Sequence, residues 1–152
     1  MSIALALVIS GCSNAPQKKS SSDLSTQDLS PIGSQSGAIQ HSLDDPDVAV
    51  LWTRAELARE EKQFAEASFH IEQALRVIPD DPVLWSRLAE LQMLQEETVL
   101  AENYAAKSNA LASDNRPLQH RNWLIIQHAR DKRGDVLGAR EAQVEVRNLS
   151  EE

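Results

Sequence analysis

From Val48 onward, apolar residues recur three and four positions apart, the spacing of one face of an α-helix. Trp52, Ala55 and Ala58 make one such stripe, and Ala67, Ile71, Ala74 and Ile78 make the next. The pattern continues through Trp85, Leu88, Ala89 and Leu91, then through Ala101, Tyr104, Ala105, Ser108 and Leu111. Trp123, Ile126 and Ala129 follow, and Ala139, Ala142, Val146 and Leu149 close the series. Between the stripes lie segments that stop one helix and start another. Asp44-Asp45-Pro46-Asp47 supplies an N-cap before the first stripe. Pro79-Asp80-Asp81-Pro82 is a turn in which Asp81 caps the next helix, with Pro82 at its first position. Asn115-Arg116-Pro117 and Gly134-Asp135 are further breaks. The prediction is an all-α domain of paired helices.

The pairs repeat. The run Val50-Leu51-Trp52-Thr53-Arg54-Ala55-Glu56-Leu57 returns as Val83-Leu84-Trp85-Ser86-Arg87-Leu88-Ala89-Glu90-Leu91, and Trp123 opens a third stretch. A period of about 34 residues with helix–turn–helix content is the mark of an α-solenoid. Three units are expected, at residues 48–81, 82–115 and 116–150. The spacing is imperfect. Trp52 to Ala67 is one residue shorter than Trp85 to Ala101, so the first unit has either a shorter turn or a slipped first helix. Trp123 falls about one helical turn late, which a longer connection at Asn115-Arg116-Pro117 absorbs. Small residues at 55, 67, 74, 89, 101, 105, 129 and 139 allow close helix approach. The three tryptophans are expected to be equivalent fillers between paired helices.

This arrangement resembles the tetratricopeptide repeat family, whose unit carries Trp or Leu early in helix A, Ala early in helix B and a closing Pro. Ala67, Ala101 and Ala139 match the helix B alanine, and Pro79 closes the first unit; Ser113 stands where the second closing Pro belongs. The resemblance implies a concave surface lined by helix A. Its positions one, five and nine after the tryptophan are Ser86, Glu90 and Leu94 in one unit and Leu124, His128 and Lys132 in the next. Some relatives clamp a peptide carboxylate there, but Glu90 repels such a group and the asparagine pair of that clamp is missing. A protein segment is the partner this groove suits. Relatives usually end in an extra solvating helix, and none is visible here. Val144, Val146 and Leu149 therefore either pair with another copy, giving a homodimer, or are screened by Arg140, Glu141, Glu145 and Arg147.

The amino end has a different pattern. Ile3-Ala4-Leu5-Ala6-Leu7-Val8-Ile9 is a short apolar core leading to Ser10-Gly11-Cys12. Ile9-Ser10-Gly11-Cys12 resembles the lipobox of bacterial lipoproteins, which implies a signal peptide at residues 1–11 and acylation of Cys12 after cleavage. Several acyl chains on one residue anchor stably where one does not. Ser13 rather than aspartate follows the cysteine, which by the same resemblance points to the outer membrane, facing the periplasm of a Gram-negative cell. Signal peptides carry Lys or Arg ahead of the apolar core, yet only Met1-Ser2 precede Ile3, so the basic region is expected upstream of Met1. Residues 12–47 are rich in Ser, Gln, Gly and Pro and read as a disordered tether, spanning about 30 Å as a coil.

Charge narrows the function further. The chain carries a formal net charge of −8, which disfavours a nucleic-acid partner, since phosphate binding needs clustered Lys and Arg. Acids outnumber bases from Val48 to Asp114, whereas Arg116, Arg121, Arg130, Lys132, Arg133, Arg140 and Arg147 outnumber the acids around them. No Gly-x-Ser-x-Gly elbow, phosphate loop or His-Glu-x-x-His pair occurs. The paired acids Glu60-Glu61, Asp80-Asp81 and Glu96-Glu97 are expected at turns, where nothing shifts their pKa. His120 and His128 are too far apart to share a metal alone. The expectation is no enzyme, no cofactor and no metal. The sequence reads instead as a lipid-anchored scaffold that binds a protein partner, with a self-associating module as the alternative.

Overall fold

The computed structural model describes residues 44–150, and these form six α-helices with no strand among them. The signal stretch, Cys12 and nearly all of the tether lie outside the described residues. The helices are α1 Pro46–Glu60, α2 Phe64–Val77, α3 Pro82–Leu94, α4 Thr98–Leu111, α5 Arg116–Lys132 and α6 Val136–Ser150. No described helix is long and apolar enough to cross a membrane.

The start signals act as their chemistry requires. The Asp45 carboxylate accepts the N–H groups of Asp47 and Val48 at 2.9 and 3.2 Å, ahead of Pro46. Asp81 does the same for Val83 and Leu84 at 2.8 and 3.0 Å, ahead of Pro82. Asn115 accepts the Leu118 N–H at 3.2 Å. Each cap satisfies donors that the helix itself leaves open, a contribution of about 1 kcal/mol.

Within each pair, helix A ends in the same turn. A residue in the left-handed region, Lys62 (φ 62°), Glu96 (φ 64°) or Gly134 (φ 76°), follows the C-cap. The next N–H reaches five residues back: Gln63 to the Ala58 carbonyl at 2.8 Å, Glu97 to Gln92 at 2.9 Å and Asp135 to Arg130 at 3.0 Å. This is the Schellman arrangement, and it fixes the register of the three hairpins. Thirty-four residues separate Lys62 from Glu96, and thirty-eight separate Glu96 from Gly134.

That register corrects two expectations. The turn after α1 is as long as the others, so the first unit has a slipped helix A: Leu51, not Trp52, is the counterpart of Trp85 and Trp123, and Trp52 matches Ser86 and Leu124. The indoles are accordingly not equivalent. Trp52 is buried in the core, 9% exposed, whereas Trp85 and Trp123 are half-buried. Trp85 leans on Tyr104 with ring centroids 5.4 Å apart and donates its indole N–H to the Pro79 carbonyl at 2.8 Å. The second correction concerns the late Trp123. The segments 78–81 and 112–115 are equally long, but α5 has 17 residues against 13 in α3. The extra turn lies inside α5 and not in the connection.

Two apolar clusters hold the hairpins together. Trp52, Ala55, Ile71, Leu75, Leu84, Leu88 and Leu91 join the first two, while Ala89, Ala101, Ala105, Ile125, Ile126 and Ala142 join the last two. All eight small residues picked out in the sequence are buried. Each helix A sits against the preceding helix B, α3 on α2 and α5 on α4, and α3 also packs on α5. No comparable contact joins α2, α4 and α6. α3 touches α5 directly and the Glu56–Arg87 pair bridges α1 to α3, so α1, α3 and α5 line one side of the array.

Candidate partner-binding face

The inner side is held by charges that periodicity alone does not show. Arg87 of α3 is fully buried and ties α1 to its own helix. Its Nε lies 3.0 Å from Glu56 Oε1 on α1, and its Nη1 donates to the Glu90 carboxylate one turn along α3. Arg121 of α5 donates to the same Glu90 oxygen at 2.5 Å and to the Ser86 hydroxyl at 3.2 Å. The guanidinium of Arg87 also stands over the Trp52 ring, 5.4 Å from its centroid, a cation–π contact strengthened by exclusion of water. Two carboxylates and two guanidiniums alternate across α1, α3 and α5, so the buried set is neutral as a whole. Burial pushes the Arg121 guanidinium down to about 10, against the pull of Glu90; it stays charged at neutral pH.

A second charged set joins the end of α5 to α4 and α6. Arg130 donates to Glu102 at 2.8 Å and to the Gly138 carbonyl at 2.9 Å, and Arg133 donates to Glu102 and to the Thr98 carbonyl. Burial alone raises the Glu102 carboxyl, but hydrogen bonds and charge from Arg130 and Arg133 together hold it below its usual value.

The six groove residues expected from the sequence divide accordingly. Ser86 and Glu90 are 0% and 2% exposed, engaged by Arg121, and so lie beneath the groove rather than on it. Leu94, Leu124 and His128 are half-buried and Lys132 is exposed, so these four remain on the inner side with access to solvent. Burial lowers the His128 imidazole, and the Lys132 charge lowers it further, which favours its neutral form. Glu56 and Arg59, paired at 3.2 Å, line the α1 end of the face and were not singled out in the sequence. The groove positions were drawn only from the second and third units; counted from Leu51, the same rule reaches Glu56 but not Arg59. One signal was available for the network: Arg87 and Glu90 stand three apart within the apolar run of α3, a spacing that places opposite charges side by side on a face with nowhere to go but inward.

The edge of the last hairpin is mostly polar. Where the first hairpin packs Ser68, Ile71 and Leu75 against its neighbour, the third carries Arg140, Gln143 and Arg147, all exposed. Val146 and Leu149 are half-buried, leaving Val144 as the exposed apolar residue of that edge, at 41%.

The fold and the converging first helices define an α-solenoid of helical hairpins, a class that presents extended concave surfaces to other molecules. Residues 48–91 match the tetratricopeptide repeat family, and the described domain is an array of three helical hairpins. Among solved structures, the chain is similar to the globular C-terminal domain of P. aeruginosa LpoP. The two are 27% identical with a TM-score of 0.63, and the match covers 70% of this chain and 97% of that one. No curated protein sequence matches the chain.

Proposed function

We propose that this protein is a lipid-anchored adaptor of the bacterial envelope. Its tetratricopeptide array docks a protein segment on the face formed by α1, α3 and α5, and Cys12 carries the anchor, with the domain facing the periplasm from the outer membrane. The observation that carries the reading is the inner face itself. Its accessible part combines Leu94 and Leu124 with His128, Lys132, Glu56 and Arg59, an apolar strip between mixed charges that suits an extended or helical peptide better than a nucleic acid. The arrangement of the chain supports the anchor. The helical array follows an amino-terminal stretch ending in Ile9-Ser10-Gly11-Cys12, and the similar domain of LpoP is likewise a globular C-terminal domain.

The test is recovery of partners from membranes with the acylated chain as bait. Expected are one or more proteins enriched over a Cys12→Ala control and lost with Leu124→Arg, at a half-buried position outside both apolar clusters, with circular dichroism confirming the fold of the variant. Recovery no better than that control, or unaffected by Leu124→Arg, removes the adaptor reading.

A further inference from the structure

We propose that copies of this chain associate head to tail, the last hairpin of one seating on the first hairpin of the next. This is independent of the adaptor reading, because it uses the ends of the array and leaves the groove alone.

The first observation is an uncovered stacking face. In the second hairpin Leu84, Leu88 and Leu91 are 0%, 2% and 0% exposed where α3 meets the hairpin before it. The same register in the third hairpin holds Asn122, Ile126 and Ala129, again buried. In the first hairpin it holds Val50, Arg54 and Leu57, and Val50 and Leu57 are 50% and 58% exposed. Among the described residues, nothing covers this side of α1. Val50 and Leu57 thus stand, exposed, at the register where the other two hairpins bury their contact residues.

The second observation names the occupant by charge. From Asp44 to Asn115 there are fifteen acidic residues and six basic ones, while from Arg116 to Ser150 there are seven basic and four acidic. Several of those bases are paired inward, Arg121 with Glu90 and Arg130 and Arg133 with Glu102. Arg140 and Arg147, however, stand on the edge of α6, and a translated copy brings them to a first hairpin (residues 44–81) with ten acidic and four basic residues.

The third observation fixes the register. Between the first and second hairpins, Gln95 at the end of α3 donates to Ser68 of α2 at 2.9 Å. Between the second and third, the equivalent residues are Arg133 and Glu102, and they form an ion pair. Continued one step further, the same positions are Glu61 at the end of α1 and Arg140 of α6 in the copy before it. Both are exposed in the single chain. The third member of the series is therefore an ion pair between copies, with the sign reversed. A heterologous contact of this kind has no built-in stop and yields open chains rather than a closed dimer.

The experiment is sedimentation velocity on the full chain in mild detergent under reducing conditions, where neither acyl chains nor Cys12 links copies. The average mass is expected to climb steadily with concentration into the high micromolar range, and to fall back as salt is added. Glu61→Arg and Arg140→Glu should each lower the association constant about tenfold or more, since each sets like charges face to face. An equimolar mixture of the two variants should regain the growth of the parent chain, because each supplies the charge the other lacks. Circular dichroism confirms that both surface variants fold. A parent chain that stays monomeric, growth that stops at a dimer, single variants that associate as the parent does, or a mixture that fails to recover would each overturn the proposal.

Discussion

At the residue scale, the buried charges decide what holds the inner face together. Such a network is not a large source of stability, because desolvation offsets much of the attraction between partners. Its loss in part is another matter. Glu90→Ala leaves Arg87 and Arg121 buried without their shared acceptor, and a cost of about 3–5 kcal/mol is expected. Thermal unfolding followed by circular dichroism should show a fall in Tm on the order of 15 °C. A second residue-scale prediction separates the tryptophans. Trp52→Ala removes a ring from the core and should cost about 3–5 kcal/mol, whereas Trp85→Ala should cost roughly half that, since Trp85 is already half in water; paired denaturant titrations measure both. The third concerns acid. The Glu102 carboxyl is held below its ordinary value near 4.5 by Arg130 and Arg133. Its contribution is complete above that ordinary value and is lost as pH falls through the lower folded one. Glu102→Gln should lower the neutral plateau of a Tm-against-pH curve and flatten its acid limb, so that parent and variant converge as pH falls.

At the scale of elements, the turn after each helix A governs register. Three turns use one Schellman geometry, yet only the third places glycine at the left-handed position, with Lys62 and Glu96 carrying the strain of a β-carbon there. Glu96→Gly should therefore raise stability by about 1 kcal/mol, and Gly134→Ala should lower it by a similar amount, even though an added β-carbon at Gly134 meets nothing within 4 Å. Urea midpoints of the two variants check the pair. The same scale explains what was legible in the sequence. Six helices, their caps at Asp45 and Asp81 and the buried alanines were readable because propensity, spacing and turn chemistry all agreed there. The slip of α1 was not, because Trp52 drew the alignment while Leu51 held the equivalent place, and one residue in a helix is about 100° of rotation. The extra turn of α5 was likewise invisible, since Asn115-Arg116-Pro117 looks like a loop yet is a cap followed by the first turn of a helix. Ser86 and Glu90 looked like groove residues for the same reason that they are buried. Both point from α3 toward the inner side, and only the arrival of Arg121 from α5 covers them.

At the scale of the whole molecule, the three hairpins act as one object because ion pairs and apolar clusters cross every junction, from Glu56 to Arg87, from Glu90 to Arg121, and from Glu102 to Arg130 and Arg133. That continuity keeps α1, α3 and α5 side by side and so keeps a single long face available. Its acidic and basic halves give the molecule a lengthwise polarity, which orients an approaching partner through the long-range field. The convex side differs in kind. There Val99 with Leu100 and Val136 with Leu137 form two small exposed apolar pairs at the starts of α4 and α6.

The most direct test of this account is site-specific photo-crosslinking in living cells, with the probe placed at Leu124 or Lys132 on the inner face and at Val99 or Leu137 on the back. The account predicts a discrete protein adduct from the inner positions that is absent from the back ones. Adducts of equal yield from both sides, or from the back alone, would contradict it.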